Sequence, residues 1–227
     1  MFTIHHLNNS RSQRVLWLLE ELGFAYQIKS YQRDPVTMLA PQELKNVHPL
    51  GKSPVLEHEG KVIAETGAIF DYILNIYGNG PLNPDFSTNE GLAMNHWIHY
   101  AEGSAMPPLL MKLVFDRLPE KAGGLIRPIV RKVRDKAIQT FIGPQIASHV
   151  KYWSDALSKN EWFAGSEFTA ADIMMSFPLE ALTMRSPDTI PPVIQDFVKK
   201  IHARPAYQAA LKKGGEYAYA KLQEKEQ

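Results

Sequence analysis

The sequence predicts an α/β layer of about 80 residues followed by an all-helical region. Three observations predict it. Residues 1–80 read in the order β-α-β-α-β-β-α. Residues 77–91, YGNGPLNPDFSTNEG, form a break rich in Gly, Pro and Asn, and beyond it no strand-like alternation stands out. The expected division is a first domain over residues 1–80 and a second over 88–227.

Residues 2–22, FTIHHLNNSRSQRVLWLLEEL, read as a short strand, a polar turn carrying Ser10 and Ser12, and an amphipathic helix. Val15, Leu18, Leu19 and Leu22 fall at i, i+3, i+4 and i+7, one apolar helical face, with Glu20 and Glu21 off it. Gly23 sits where a helix stops, and YQIKSY follows as a strand. The proline-interrupted stretch from Arg33 to Gly51 reads as a broken helical connection. PVLEH, the Glu59-Gly60 turn and KVIA form a hairpin. From Glu65 a third helix carries Ile69, Tyr72, Ile73 and Ile76 along one face.

After the break, Ser87 or Thr88 caps a helix beginning near Asn89, which Pro107-Pro108 should kink or interrupt. Gly123-Gly124 marks a turn, and helical patterning runs on to about Lys159 with a break at Gly143-Pro144. Thr169-Ala-Ala-Asp172 fits a capping box, ahead of a helix with Ile173, Phe177, Ala181 and Met184 on one face. Ile194, Phe197, Val198 and Ile201 define the next helix. Arg204-Pro205 ends it, AYQAALKK starts a last one, and KLQEKEQ is a polar tail.

Composition removes several function classes. A formal net charge of +1 provides no global attraction to nucleic acid or an anionic membrane. Cysteine is absent, which excludes disulfides, thiolate metal sites and a protein thiol nucleophile. MFTIHHLNNSR lacks the basic and apolar regions of a signal peptide, and no apolar run has the length of a membrane span. The expected location is cytoplasmic. P-loop, dinucleotide-binding and hydrolase-elbow motifs are missing. The pairs His5-His6 and His96/His99 come without a ligand set suited to a metal. The basic run Arg127, Arg131, Lys132, Arg134 and Lys136 lacks interleaved aromatics and reads as a solvated or subunit-facing helix surface.

Three short stretches can carry chemistry. Ser10 or Ser12, just ahead of a helix, can cap backbone N–H groups or present a donor to an anion in the positive field of the helix end. Ser53-Pro54 enters an edge strand. A cis bond there would turn the Ser53 backbone toward an extended peptide-like ligand, but only about 5–6% of X–Pro bonds are cis. The spacing alone therefore favours a trans proline in a loop. Glu65-Thr66 suits a helix N-terminus, and it equally suits a grip on a zwitterionic amino-acid head.

Taken in order, N-S-R-S-Q-R-V-L-W-L-L-E-E-L, H-P-L-G-K-S-P-V-L, A-E-T-G-A-I and F-T-A-A-D-I-M-M-S-F-P-L-E resemble the cytosolic glutathione transferases. The resemblance is to their serine-type bacterial and fungal members and spans nearly the whole chain. It implies a thioredoxin-like N-terminal domain, an all-helical C-terminal domain and a homodimer. It implies glutathione as co-substrate, a hydrophobic electrophile as second substrate, and no metal, nucleic acid or membrane partner. Ser10 then matches the hydroxyl that stabilises the glutathione thiolate, with Ser12 as the helix cap. Ser53, before a cis Pro54, would pair its backbone with the cysteinyl unit. Glu65 and Thr66 would hold the γ-glutamyl head, and Lys52 the glycine carboxylate. Tyr100, Met106 and Met111 are candidates to line the electrophile pocket. The implied activity is detoxifying thiol transfer, with reduction of organic hydroperoxides by the same thiolate as a related reaction. The alternative is a glutathione-binding protein of this fold that has no turnover.

Overall fold

The computed structural model describes residues 1–78, 80–185 and 189–220; the polar tail 221–227 lies outside them. The first layer holds β1 (Phe2–Leu7), α1 (Ser12–Glu21), β2 (Tyr26–Tyr31), α2 (Gln42–Val47), β3 (Val55–His58), β4 (Lys61–Ala64) and α3 (Thr66–Tyr77). The sheet order is β2-β1-β3-β4. β1 and β2 are parallel, with Phe2 opposite Tyr26, and α1 supplies the crossover that parallel strands require. β3 runs antiparallel to both β1 and β4, with Ile4 opposite Leu56 and Val55 opposite Ala64, so the strand that Ser53-Pro54 enters is interior and not the expected edge strand. This is the thioredoxin-like layer the resemblance implies.

Among the described residues beyond it the regular elements are helices, apart from one isolated bridge, Trp162 with Gly165. The helices are α4 (Asn89–Tyr100), α5 (Met106–Lys121), α6 (Arg127–Ala137), α7 (Gly143–Lys159), α8 (Ala170–Arg185), α9 (Pro192–His202) and α10 (Pro205–Gly214). The Thr88 hydroxyl caps α4 by accepting the Gly91 N–H at 3.0 Å. The expected interruptions at Pro107-Pro108 and Gly143-Pro144 take a specific form. Each proline run is preceded by a wide π-helical turn, Ala101–Ala105 and Ile138–Ile142, through which the helix continues. A proline lacks the N–H and crowds the carbonyl four residues back, so the preceding turn widens rather than the helix ending. Helix α6 has no buried residue, and its Ile129 and Val133 are exposed beside its basic side chains.

Helix α1 sits between the two layers. Val15, Leu18 and Leu19 are fully buried as the periodicity predicts, but so are Ser12, Arg14, Leu16 and Trp17. The helix packs against β1 and α3 in its own layer and against α8 and α10 in the other. A second stripe faces the helical domain. Arg14 donates to the Met174 carbonyl of α8 at 2.8 Å, Trp17 packs edge-on to Tyr207 of α10, and Glu21 receives Arg204 at 2.6 Å. In α3 the face is rotated by one residue from expectation. Phe70 and Leu74 join Ile69 and Ile73 in the core, while Ile76 is exposed. Gly23 ends α1 with φ of 70°, a left-handed conformation that suits glycine.

Candidate functional site

The turn after β1 places Ser10 at the cleft and Ser12 behind it. Ser12 is the first residue of α1, with Arg11 at the N-cap position and no side-chain cap, so the expected capping role of Ser12 is not what forms. Ser10 takes part of it, because its Oγ accepts the Ser12 N–H at 3.3 Å. The Ser12 hydroxyl instead turns inward to His6 Nδ1 at 2.8 Å, and it lies 2.7 Å from Ser10 Oγ. Burial lowers the pKa of the His6 imidazole, against a hydrogen bond to the Gly214 carbonyl that raises it. With Nδ1 as the acceptor tautomer, Ser12 donates to His6 and its oxygen can accept from Ser10. Ser10 also reaches Ser53 Oγ at 3.4 Å. Ser53 Oγ is itself pinned to β1, donating to the His5 carbonyl at 2.8 Å and accepting the Leu7 N–H at 3.1 Å. The Ser10 oxygen thus accepts the Ser12 N–H, while its one proton, within reach of Ser12 Oγ and Ser53 Oγ, can be re-aimed toward a stronger acceptor in the cleft.

The Ser53-Pro54 bond is cis, contrary to the trans geometry that spacing alone favours and in line with the resemblance. Two cavities meet at Lys52 and Ser53. One, of about 270 Å³, is lined by Lys52, Ser53, Pro54, Glu65 and Thr66 together with Arg11 and Glu102. The other, of about 420 Å³, opens from Ser10 and is floored by Met106, Leu110, Leu113 and Phe177. Ser10, Lys52, Ser53, Pro54, Glu65, Thr66 and Met106 therefore line one continuous cleft. Tyr100 and Met111 line neither cavity. Tyr100 is half-buried against the helical core, where its hydroxyl bonds His149 and accepts the Trp153 indole N–H at 3.1 Å. Burial pushes that phenol up to about 12.

Glu102 and Arg14 escaped the sequence reading. Glu102 lies in the wide turn before α5, where Arg11 Nε contacts both its oxygens at 2.9 Å and Arg14 Nη2 also bonds it. Burial alone would raise the Glu102 carboxyl, but the two guanidinium groups outweigh it and hold it below the usual carboxylate range. Arg14 is almost fully buried, and its second amino group reaches Thr66 Oγ1 at 3.5 Å. A carboxylate is therefore fixed across from Glu65 on the rim of the smaller cavity. The only sequence signal for it was the Pro107-Pro108 pair that forces the wide turn.

A four-stranded thioredoxin-like layer, a helical second domain and a cleft between them carrying a hydroxyl and paired charges define a two-domain small-molecule-binding protein. Residues 3–75 match the glutathione S-transferase N-terminal domain and residues 128–214 the C-terminal domain of the same family. Glutathione S-transferase 1 of Saccharomyces cerevisiae is 33% identical, covering 92% of this chain and 94% of its own. Glutathione S-transferase 3 of Schizosaccharomyces pombe is 36% identical over 80% of this chain and 74% of its own. The crystal structure of a glutathione S-transferase from Actinobacillus pleuropneumoniae superposes with a TM-score of 0.81 at 29% identity, covering 97% of this chain and 95% of its own. The chain belongs to the glutathione S-transferase family and is an enzyme of that family. Among the described residues no helix is long and apolar enough to cross a membrane.

Proposed function

We propose that the enzyme ionises the thiol of glutathione at Ser10 and adds the thiolate to electrophilic small molecules held in the larger cavity. The observation that carries the reading is the Ser10 hydroxyl, nearly buried yet on the cleft wall, with its oxygen anchored by the Ser12 N–H and its proton within reach of Ser53 Oγ. In this reading Glu65, Thr66 and Glu102 receive the γ-glutamyl head, Ser53 beside Pro54 the cysteinyl unit, and Lys52 the glycine carboxylate. Met106 contributes to the electrophile wall.

Magnitudes support it. An unperturbed thiol of pKa about 8.5 is roughly 3% thiolate at pH 7, and lowering that pKa by about two units takes roughly 2.7 kcal/mol. A hydrogen bond to a charged group contributes about 1.5–3 kcal/mol, and a helix N-terminus about 0.3–1 more. Ionisation alone then raises the rate about 25-fold at pH 7, and the rest comes from holding the electrophile against sulfur. With an aryl halide the sulfur–carbon bond forms, halide leaves with its electron pair, and the thiol proton goes to solvent. With an organic hydroperoxide one glutathione takes the peroxide oxygen and a second yields the disulfide, an alcohol and water.

The test is turnover of a model aryl halide by wild type and Ser10→Ala, with a hydroperoxide assay in parallel. Ser10→Ala is expected to lose about 10- to 100-fold in kcat/KM, with the apparent pKa of the rate profile rising about one to two units. Retention of the wild-type pKa in Ser10→Ala, with full loss in Ser12→Ala, would assign the donor to Ser12. Failure to bind glutathione in calorimetry ends the reading altogether. It also carries a homodimer in the cytoplasm as the working form, which light scattering of the purified protein tests.

A further inference from the structure

The chain as a whole is almost neutral, with 25 Lys and Arg against 24 Asp and Glu. The larger cavity is not. Arg11, Arg33, Lys52, Arg117 and Arg185 line it, and among the described residues no Asp or Glu does. The smaller cavity carries Glu65 and Glu102, so the acidic groups of the cleft are confined to the side expected to hold the γ-glutamyl ammonium. Arg11 is paired with Glu102. Arg33 is held by main-chain carbonyls, of Asn8 at 3.3 Å and Met38 at 3.2 Å. Arg117 and Arg185 have no acidic partner among the described residues.

Position separates these cations into two sets. Arg11, Arg33 and Lys52 belong to the thioredoxin-like layer, beside Ser10 and Ser53, where the two carboxylates of a glutathione molecule would lie. Arg117 projects from α5 and Arg185 ends α8, so both belong to the helical domain across the cleft. Between them the wall is apolar, made by Met106, Leu110, Leu113 and Phe177. Concave sites lined by one sign of charge concentrate ligands of the other. A neutral hydrophobic electrophile would need the apolar wall but not the two guanidinium groups, which also provide the planar double donor that matches a carboxylate or phosphate.

Resting on the thiol-transfer reading above, we propose that the second substrate is an amphipathic organic anion. Its apolar body, bearing the electrophilic carbon, lies on Met106, Leu110 and Phe177, and its anionic end is held by Arg117 and Arg185.

The experiment compares 4-chloro-3-nitrobenzoate with 4-chloro-3-nitrobenzamide, each kcat/KM being divided by the uncatalysed rate with glutathione to remove their difference in intrinsic reactivity. The full-length wild type is expected to prefer the carboxylate at least about fivefold, a ratio that falls between about 50 mM and about 500 mM salt. Arg117→Gln with Arg185→Gln is expected to abolish the ratio, and Arg117→Glu to invert it. Equal normalised rates in wild type, or a ratio the substitutions leave in place, overturn the proposal. So does a rise in the KM for glutathione that is the same with both electrophiles, since it would assign these arginines to the tripeptide. Calorimetry with S-(4-carboxybenzyl)glutathione and S-(4-carbamoylbenzyl)glutathione separates the two levels of inference. Equal affinity for both ligands removes the anion preference and leaves thiol transfer standing, whereas absence of binding by either ligand and by glutathione removes both.

Discussion

Glu65 is the residue at which local backbone cost and site chemistry meet. Its φ of 72° and ψ of 128° lie outside the regions that residues with a Cβ favour, and it is exposed at the start of α3. Such a conformation costs on the order of 1–3 kcal/mol and persists only where the surroundings enforce it. Glycine would remove the strain but add unfolded-state entropy, at roughly 0.4–1 kcal/mol. Glu65→Gly is therefore expected to gain about 1 kcal/mol in denaturant unfolding while glutathione affinity falls about tenfold. Glu65→Gln should show the same affinity loss without the gain in stability. A destabilised Glu65→Gly would mean that the carboxylate, not the backbone, dominates at this position. Ser10 and Ser12 make a related point, since two like residues two positions apart were separated only by what lies behind them, His6 for one and the cleft for the other.

At the scale of elements, helix ends decide more than helix middles. The start of α8 is built by Asp172, which accepts the Thr169 N–H at 2.8 Å on Oδ2 and the Phe163 N–H at 2.9 Å on Oδ1. Burial raises its carboxyl from 3.8 to about 6, and these donors oppose the rise. Because the folded pKa is the higher one, the unfolded chain releases this proton first. The carboxyl's contribution to stability therefore falls as pH rises from about 4 through about 6, by roughly 3 kcal/mol. The stability advantage of wild type over Asp172→Asn is expected to shrink across that window in denaturant titrations. An advantage that is flat or grows with pH would contradict it. The close approach of α10 to α1 rests on Gly214, where a Cβ would lie 2.7 Å from Gln13 Oε1 and 2.9 Å from a Leu16 methyl. Gly214→Ala requires the Gln13 amide and the Leu16 methyl to move aside.

Across the whole molecule, the two domains are tied by charges as well as by a shared apolar core. Arg14 of α1 reaches Met174 of α8 and Glu102 of the wide turn, and Arg204 reaches back to Glu21. Glu102 has a folded pKa below its ordinary value of 4.5, so its contribution is fully present above that value and is lost as pH falls through the folded one. Glu102→Gln is expected to cost about 3–5 kcal/mol at pH 7, because Arg14 is left buried without its counter-charge. Wild type is expected to lose Tm as pH falls below about 4.5, and Glu102→Gln to lose less over the same range. An equal loss in both would place the acid sensitivity elsewhere.

Much of the fold was legible because its signals are local. The short strands β1 and β3 set off by turns, the spacing of Val15, Leu18 and Leu19, a cap at Ser87 or Thr88 and the Thr169–Asp172 box each act within about two helical turns, where sequence neighbours are spatial neighbours. The cleft was legible in part, since Ser10, Ser53 and Glu65-Thr66 sit at element ends that the chain order already defines. What only the tertiary structure decided depends on partners far apart in the chain. Arg14 meets Glu102, and Arg117 and Arg185 line one cavity, at separations on which periodicity is silent. Tyr100 fell against the core and away from both cavities, and Ile76 out of the core, for the same reason. A helical face is set by the element that packs on it, and a side chain's own spacing cannot say which element that is.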